Sequence, residues 1–125
     1  MAFSMRLLVL LCALAATGCA NALVAAEGAI HRSIAVTQDT ANAVCDAKIP
    51  APEACRNFNI RLVPVIVAAK SFNRAVKENS ATEIPAMLAA LVEMRNAALE
   101  LLPQNMSEAV RARIDATWSL VAGMR

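Results

Sequence analysis

The chain has no tyrosine, one tryptophan, one histidine and three phenylalanines in 125 residues. So few aromatics leave no stacking platform for nucleic-acid bases. The single histidine, His31, excludes a two-histidine metal site, and none of Ser33, Ser71, Ser80, Ser107 and Ser119 has the nucleophile-elbow context of a serine triad. Glycine is equally scarce, with Gly18, Gly28 and Gly123 far apart and no Gly-rich loop to cradle a phosphate. The formal net charge of +2 is too small to make nucleic acid or an anionic surface the main partner. Nothing assembles a nucleophile, a base and an oxyanion site. The expectation is a protein that is not an enzyme, with no cofactor, no metal, no nucleic acid and no small-molecule substrate.

Apolar residues make up 58% of the sequence, and part of that excess sits at the start. Arg6 precedes the apolar run Leu7 to Ala16, and the small residues Thr17, Gly18, Cys19 and Ala20 follow it. This is the three-part pattern of a secretory signal. The run is too short for a membrane span, which needs roughly 20 apolar residues. The junction Ala16-Thr17-Gly18-Cys19 resembles the lipobox of bacterial prolipoproteins, although Ala16 stands where the family usually has Leu. The resemblance implies a diacylglyceryl group on the Cys19 sulfur, cleavage before Cys19 and an acylated new amino terminus. Ala20, not Asp, follows Cys19, which in that family implies the outer membrane. Two alternatives stay open: Ala20-Asn21-Ala22 is an A-x-A site for ordinary signal peptidase, giving a secreted protein cut after Ala22, and the leader can remain as an uncleaved anchor.

Four segments beyond the leader carry helical periodicity. The first spans about Leu23 to Asp46, with Ile30, Ile34, Thr37, Ala41 and Val44 on one stripe. The second spans about Pro52 to Glu78, with Phe58, Leu62, Val65, Ala69, Phe72 and Val76 on its apolar face and Pro64 expected to kink or split it. The third spans about Thr82 to Leu102, capped by Ser80 or Thr82, with Ile84, Leu88, Leu91, Ala98 and Leu102 inward, Met87, Met94 and Leu101 widening the stripe, and Arg95 at its edge. The fourth runs from Ser107 as N-cap to about Gly123, with Val110, Ile114, Thr117, Val121 and Met124 inward. Short connections imply antiparallel neighbours. The expected architecture is all-α: a signal peptide over 1–18, a tether over 19–22, and a small antiparallel bundle of about four helices over 23–125.

Such a bundle, rich in alanine, buries little area per residue and benefits from a staple. Cys45 and Cys55 bracket the bend CDAKIPAPEAC and are expected to form a structural disulfide in an oxidising compartment. A redox pair is usually C-x-x-C, and zinc would need two more ligands.

The polar residues read mostly as solvated helix faces: Asp39, Asn42 and Asp46 on the first helix, Glu93 and Glu100 on the third. Glu27 stands one turn before His31 and is placed to pair with it. Trp118 is expected to pack at the core edge. Lys70, Arg74 and Lys77 form a basic stripe on the second helix and are the candidate partner face. The segment RLVPVIVAAKSFNRAVK resembles, in layout, small helical proteins of unknown function encoded by bacteria, phages and prophages.

Two functional classes follow. One is a lipid-anchored module of the cell envelope, facing the periplasm or the surface, that binds an envelope protein. The other is a phage- or prophage-encoded lipoprotein acting in receptor blocking or host lysis. Both require Cys19 to be lipidated. Metabolic fatty-acid labelling is expected to mark the wild-type chain and to be lost in Cys19→Ser; label that persists in the variant contradicts the lipobox.

Overall fold

In a computed structural model the backbone is described from Ala2 to Met124 and the side chains from Ala22 to Met124. Four helices follow one another: α1 (Ala2–Asp46), α2 (Pro52–Lys77), α3 (Ile84–Leu101) and α4 (Gln104–Ala122). Connections of five, six and two residues, 47–51, 78–83 and 102–103, force each helix to run antiparallel to the one before. Each helix packs on its neighbours in sequence, and α4 closes the square against α1. The expected signal peptide and lipobox, with Cys19, fall in residues 1–21, outside the described side chains.

The core is the union of the four stripes. Ile30, Ile34, Ala41 and Val44 from α1 meet Phe58, Leu62, Val65, Ala69 and Phe72 from α2. Ile84, Met87, Leu88, Leu91, Met94 and Ala98 from α3 and Val110, Ile114 and Val121 from α4 complete it. Met87 and Met94 are fully buried and fill space between the helices. The β-branched run Val63–Val67 is helical, because its core contacts repeat every three to four residues and not every two.

Three local expectations change. Pro64 does not split α2, which is one helix over Pro52–Lys77. The proline ring sits on the exposed side, where the missing hydrogen bond faces water. α3 begins at Ile84 and not at Thr82, and no side chain caps it. Ser80 Oγ accepts the Thr82 N–H at 3.3 Å and the two hydroxyls lie 2.9 Å apart, so both proposed caps are used inside the loop. α4 begins at Gln104, because the Pro103 carbonyl accepts the N–H groups of Met106 and Ser107. Ser107 is therefore inside the first turn, buried, and donates to the Gln104 carbonyl at 3.0 Å.

Glycine scarcity shows at the helix ends. The residues that take the left-handed conformation after α1 and α2 are Lys48, at φ 57°, and Asn79, at φ 53°. Lys48 N–H to the Cys45 carbonyl and Ile49 N–H to the Val44 carbonyl close α1 in a Schellman pattern. Asn79 and Ser80 repeat it on the Val76 and Ala75 carbonyls.

The Lys48 turn reverses the chain and brings Cys55 back to Cys45. The two are joined in a disulfide with Cα atoms 6.1 Å apart. The bond closes a loop of sequence separation 10, so chain entropy gives about 2–3 kcal/mol. Reduction, or Cys45→Ser with Cys55→Ser, is expected to lower the melting temperature by about 10–20 °C for a domain of this size. A melt unchanged by reductant contradicts the staple.

Candidate functional site

The chemistry-bearing residues fall into four places, three of which are tied up within the bundle. The first is a buried polar layer. Ser33 and Thr37 on α1 and Thr117 on α4 are all buried. Thr37 donates to the Ser33 carbonyl at 2.6 Å, as a threonine in a helix commonly does. Thr117 departs from that pattern: its Oγ1 lies 2.6 Å from Ser33 Oγ, across the α1–α4 interface. Either hydroxyl can donate. The layer joins two helices by a polar contact inside an otherwise apolar core, which fixes their relative height.

The second is an ion-pair clamp that holds α2 to α3. Arg61 Nε donates to Glu93 Oε1 at 2.8 Å, and Arg61 Nη1 pairs with Glu100 Oε2. The hydrogen bond to Glu93 chiefly, with Glu100 beside it, raises the guanidinium above its ordinary pKa despite partial desolvation. Glu93 and Glu100 are thus partners of α2 and not a merely solvated face. They stand seven residues apart, two turns of one helix face, the spacing that lets both reach one guanidinium.

The third is a cleft of about 310 Å³ between α3 and α4, with Leu91 and Ile114 as floor and Trp118 at its wall. Trp118 packs against the core edge, as its stripe position requires. Arg95 and Arg111 both reach Asp115, with Nε 3.6 Å and 3.5 Å from its carboxylate oxygens. Arg95 Nε is buried with no hydrogen bond closer than that ion pair. The three charges are committed to one another, and Ser119 also lines the open cleft.

His31 is exposed and does not pair with Glu27. Asn73 Nδ2 of α2 donates to its Nε2 at 2.8 Å. This contact and the Cys45–Cys55 bond fix the antiparallel register of α1 and α2. They place Ala22, where the described side chains begin, at the α2–α3 loop end of the bundle, opposite the disulfide. Asp39, Asn42 and Asp46 are exposed along α1. Among the described residues no group of three or more His, Cys, Asp or Glu side chains is placed to hold a metal ion, and no helix is long and apolar enough to cross a membrane.

The fourth place is the outward face of α2. Lys70, Arg74 and Lys77 are exposed there, and among the described residues none of them makes an ion pair. Sequence reasoning missed what precedes them. Ile60, Val63 and Val67 are 65%, 58% and 56% exposed. They recur at intervals of three and four, lie opposite the core stripe of the same helix, and run straight into Lys70 and Arg74. Glu53 and Arg56 continue the line toward the amino-terminal end of α2. A lone exposed valine is ordinary, but three aligned branched residues on the solvent side of one helix form a patch.

No family model, curated protein or solved structure matches the chain.

The polar layer allows a direct test. Thr117→Val is expected to cost about 1–2 kcal/mol by leaving the Ser33 hydroxyl without its cross-helix partner. Adding Ser33→Ala should cost less than the sum of the single changes, with a coupling of about 1 kcal/mol in a denaturant double-mutant cycle. Additive losses contradict the bond.

Proposed function

We propose that the protein is a lipid-anchored helical bundle of the bacterial cell envelope that binds a protein partner through the outward face of α2 and does not catalyse. The observation that carries the reading is that face: an exposed apolar stripe at Ile60, Val63 and Val67, continued by the free cations Lys70, Arg74 and Lys77. The bundle covers the opposite side of α2, so the stripe adds nothing to the fold.

The chemistry of the stripe favours a helical surface over a lipid surface as its cover. Helices that lie in a membrane interface carry Trp, Phe and Leu on the apolar side. Here the aromatics of α2, Phe58 and Phe72, are both in the core, and the outward side chains are short and branched. Such side chains at intervals of three and four fit between the ridges of a second helix. The anchor enters through the Gly18-Cys19 junction. Two or three acyl chains, at ~0.8 kcal/mol per buried CH₂, hold a chain to a bilayer without a spanning helix. His31 and the charged residues of the α3–α4 cleft make contacts within the bundle, which leaves the α2 face as the surface this reading assigns to a partner.

Cross-linking in intact envelopes, followed by recovery of the lipidated protein, tests the reading. Arg74→Glu with Lys77→Glu is expected to weaken capture of the cross-linked species several-fold, more at low salt than at high salt, because the charges are exposed and screened. His31→Ala should leave capture unchanged. Loss of function in His31→Ala with silent charge reversals would replace binding by catalysis.

A further inference from the structure

Taking the outward face of α2 as the docking surface proposed above, we infer that its occupant is an acidic helix of another envelope protein, packed along α2 in a coiled-coil seam. The spacing of the face names a helix, and its charge names an acidic one. Ile60, Val63 and Val67 hold the middle, Glu53 and Arg56 precede them, and Lys70, Arg74 and Lys77 follow. From Glu53 to Lys77 the intervals alternate between three and four without a break, and every one of these residues is exposed.

Such a 3.5-residue repeat drifts slowly around a straight helix, so it stays in contact only with a second helix that winds with it. It is also narrow. Asn57 and Asn59, both exposed, border it on its two sides. A strict stripe of this width is the seam of a coiled coil, whereas a helix that lies on a bilayer needs a broad apolar face.

Within α2 the seam holds four cations, Arg56, Lys70, Arg74 and Lys77, and one carboxylate, Glu53. Glu78 follows just past the helix end, and the face stays basic. Among the described residues none of the four cations has an ion-pair partner within the chain. A surface that covers them removes their water and must return counter-charge. A second copy of this chain fails that requirement, because setting Ile60 against Val67 also sets Arg56 against Lys70. An acidic helix meets it. Its complement to α2 is three apolar residues at the same spacing, with carboxylates on both sides of them. Arg56 and Lys70 stand about 21 Å apart along the helix, which sets the separation of the partner's flanking carboxylates. The apolar centre is short, so the contact belongs with small, reversible interfaces. Opposite charge steers the encounter, and tethering raises the effective concentration at which it occurs.

The test is photo-cross-linking of the full-length chain in intact cells, with a benzophenone side chain installed at Val63 and, as control, at Ala112, exposed on α4. The attached segment is then mapped by mass spectrometry. The expected product at Val63 is a segment of another protein with apolar residues at intervals of three and four and carboxylates on both sides of them, absent from the control. Lys70→Glu with Arg74→Glu should lower its yield several-fold, and changing the mapped carboxylates to lysine in the same cells should restore it. An attached segment of zero or positive net charge overturns the acidic helix. So does a phospholipid adduct, or a segment of this same chain. Val63→Asp then separates this inference from the reading beneath it. If Val63→Asp abolishes capture of an envelope protein, α2 remains a docking face with another kind of occupant. If capture is unaffected, or if Val63 yields no more product than Ala112, the docking reading falls with the inference. The substituted positions are exposed, and an unchanged melting temperature for each variant shows that the bundle still folds.

Discussion

α2 carries apolar side chains on two opposite faces, and the bundle has room to cover only one. Phe58, Leu62, Val65, Ala69 and Phe72 turn inward and are buried by α1 and α3, which lie on either side. Ile60, Val63 and Val67 turn outward. The rotation of α2 about its axis is what assigns each set to its side, and much of the polar chemistry of the molecule is spent on fixing that rotation. Arg61 ties α2 to α3 through Glu93 and Glu100, Asn73 ties it to α1 through His31, and the disulfide holds its amino-terminal end to the end of α1.

This division leaves an interior that is almost wholly apolar among the described residues. A four-helix bundle places a reactive group in its core only if that group replaces apolar packing, and the buried polar groups here bond one another or their own helices. The surface ion pairs each contribute about 0–1 kcal/mol and serve orientation more than stability. Alanines let the helices approach closely, at the cost of shallow burial, and the disulfide offsets part of that shortfall by restricting the unfolded chain.

The fold was legible because each stripe repeats at intervals of three and four over a full helix, and every apolar residue read into the four stripes is buried or packs against the core edge. Helix starts were less legible. Ser80, Thr82 and Ser107 are all good caps by type, but a cap is decided by competition: two of them satisfy each other within a loop, and the Pro103 carbonyl starts α4 before Ser107 is reached. The Arg61 clamp and the Ser33–Thr117 bond were not legible, since each depends on which faces of two distant segments meet. The second apolar face of α2 was present in the sequence at Ile60, Val63 and Val67. Assigning one apolar face to each helix hides it, and the basic residues beyond it then look like an isolated charged stripe.

The central claim is that the outward face of α2 is covered in the envelope setting proposed above. Thiol labelling measures this directly. A membrane-impermeant maleimide applied to intact envelopes carrying Val63→Cys is expected to react many-fold more slowly than the same reagent on Ala112→Cys, and the difference should vanish when the protein is extracted and diluted. Equal labelling rates at the two positions in intact envelopes would show the stripe bare and contradict the account.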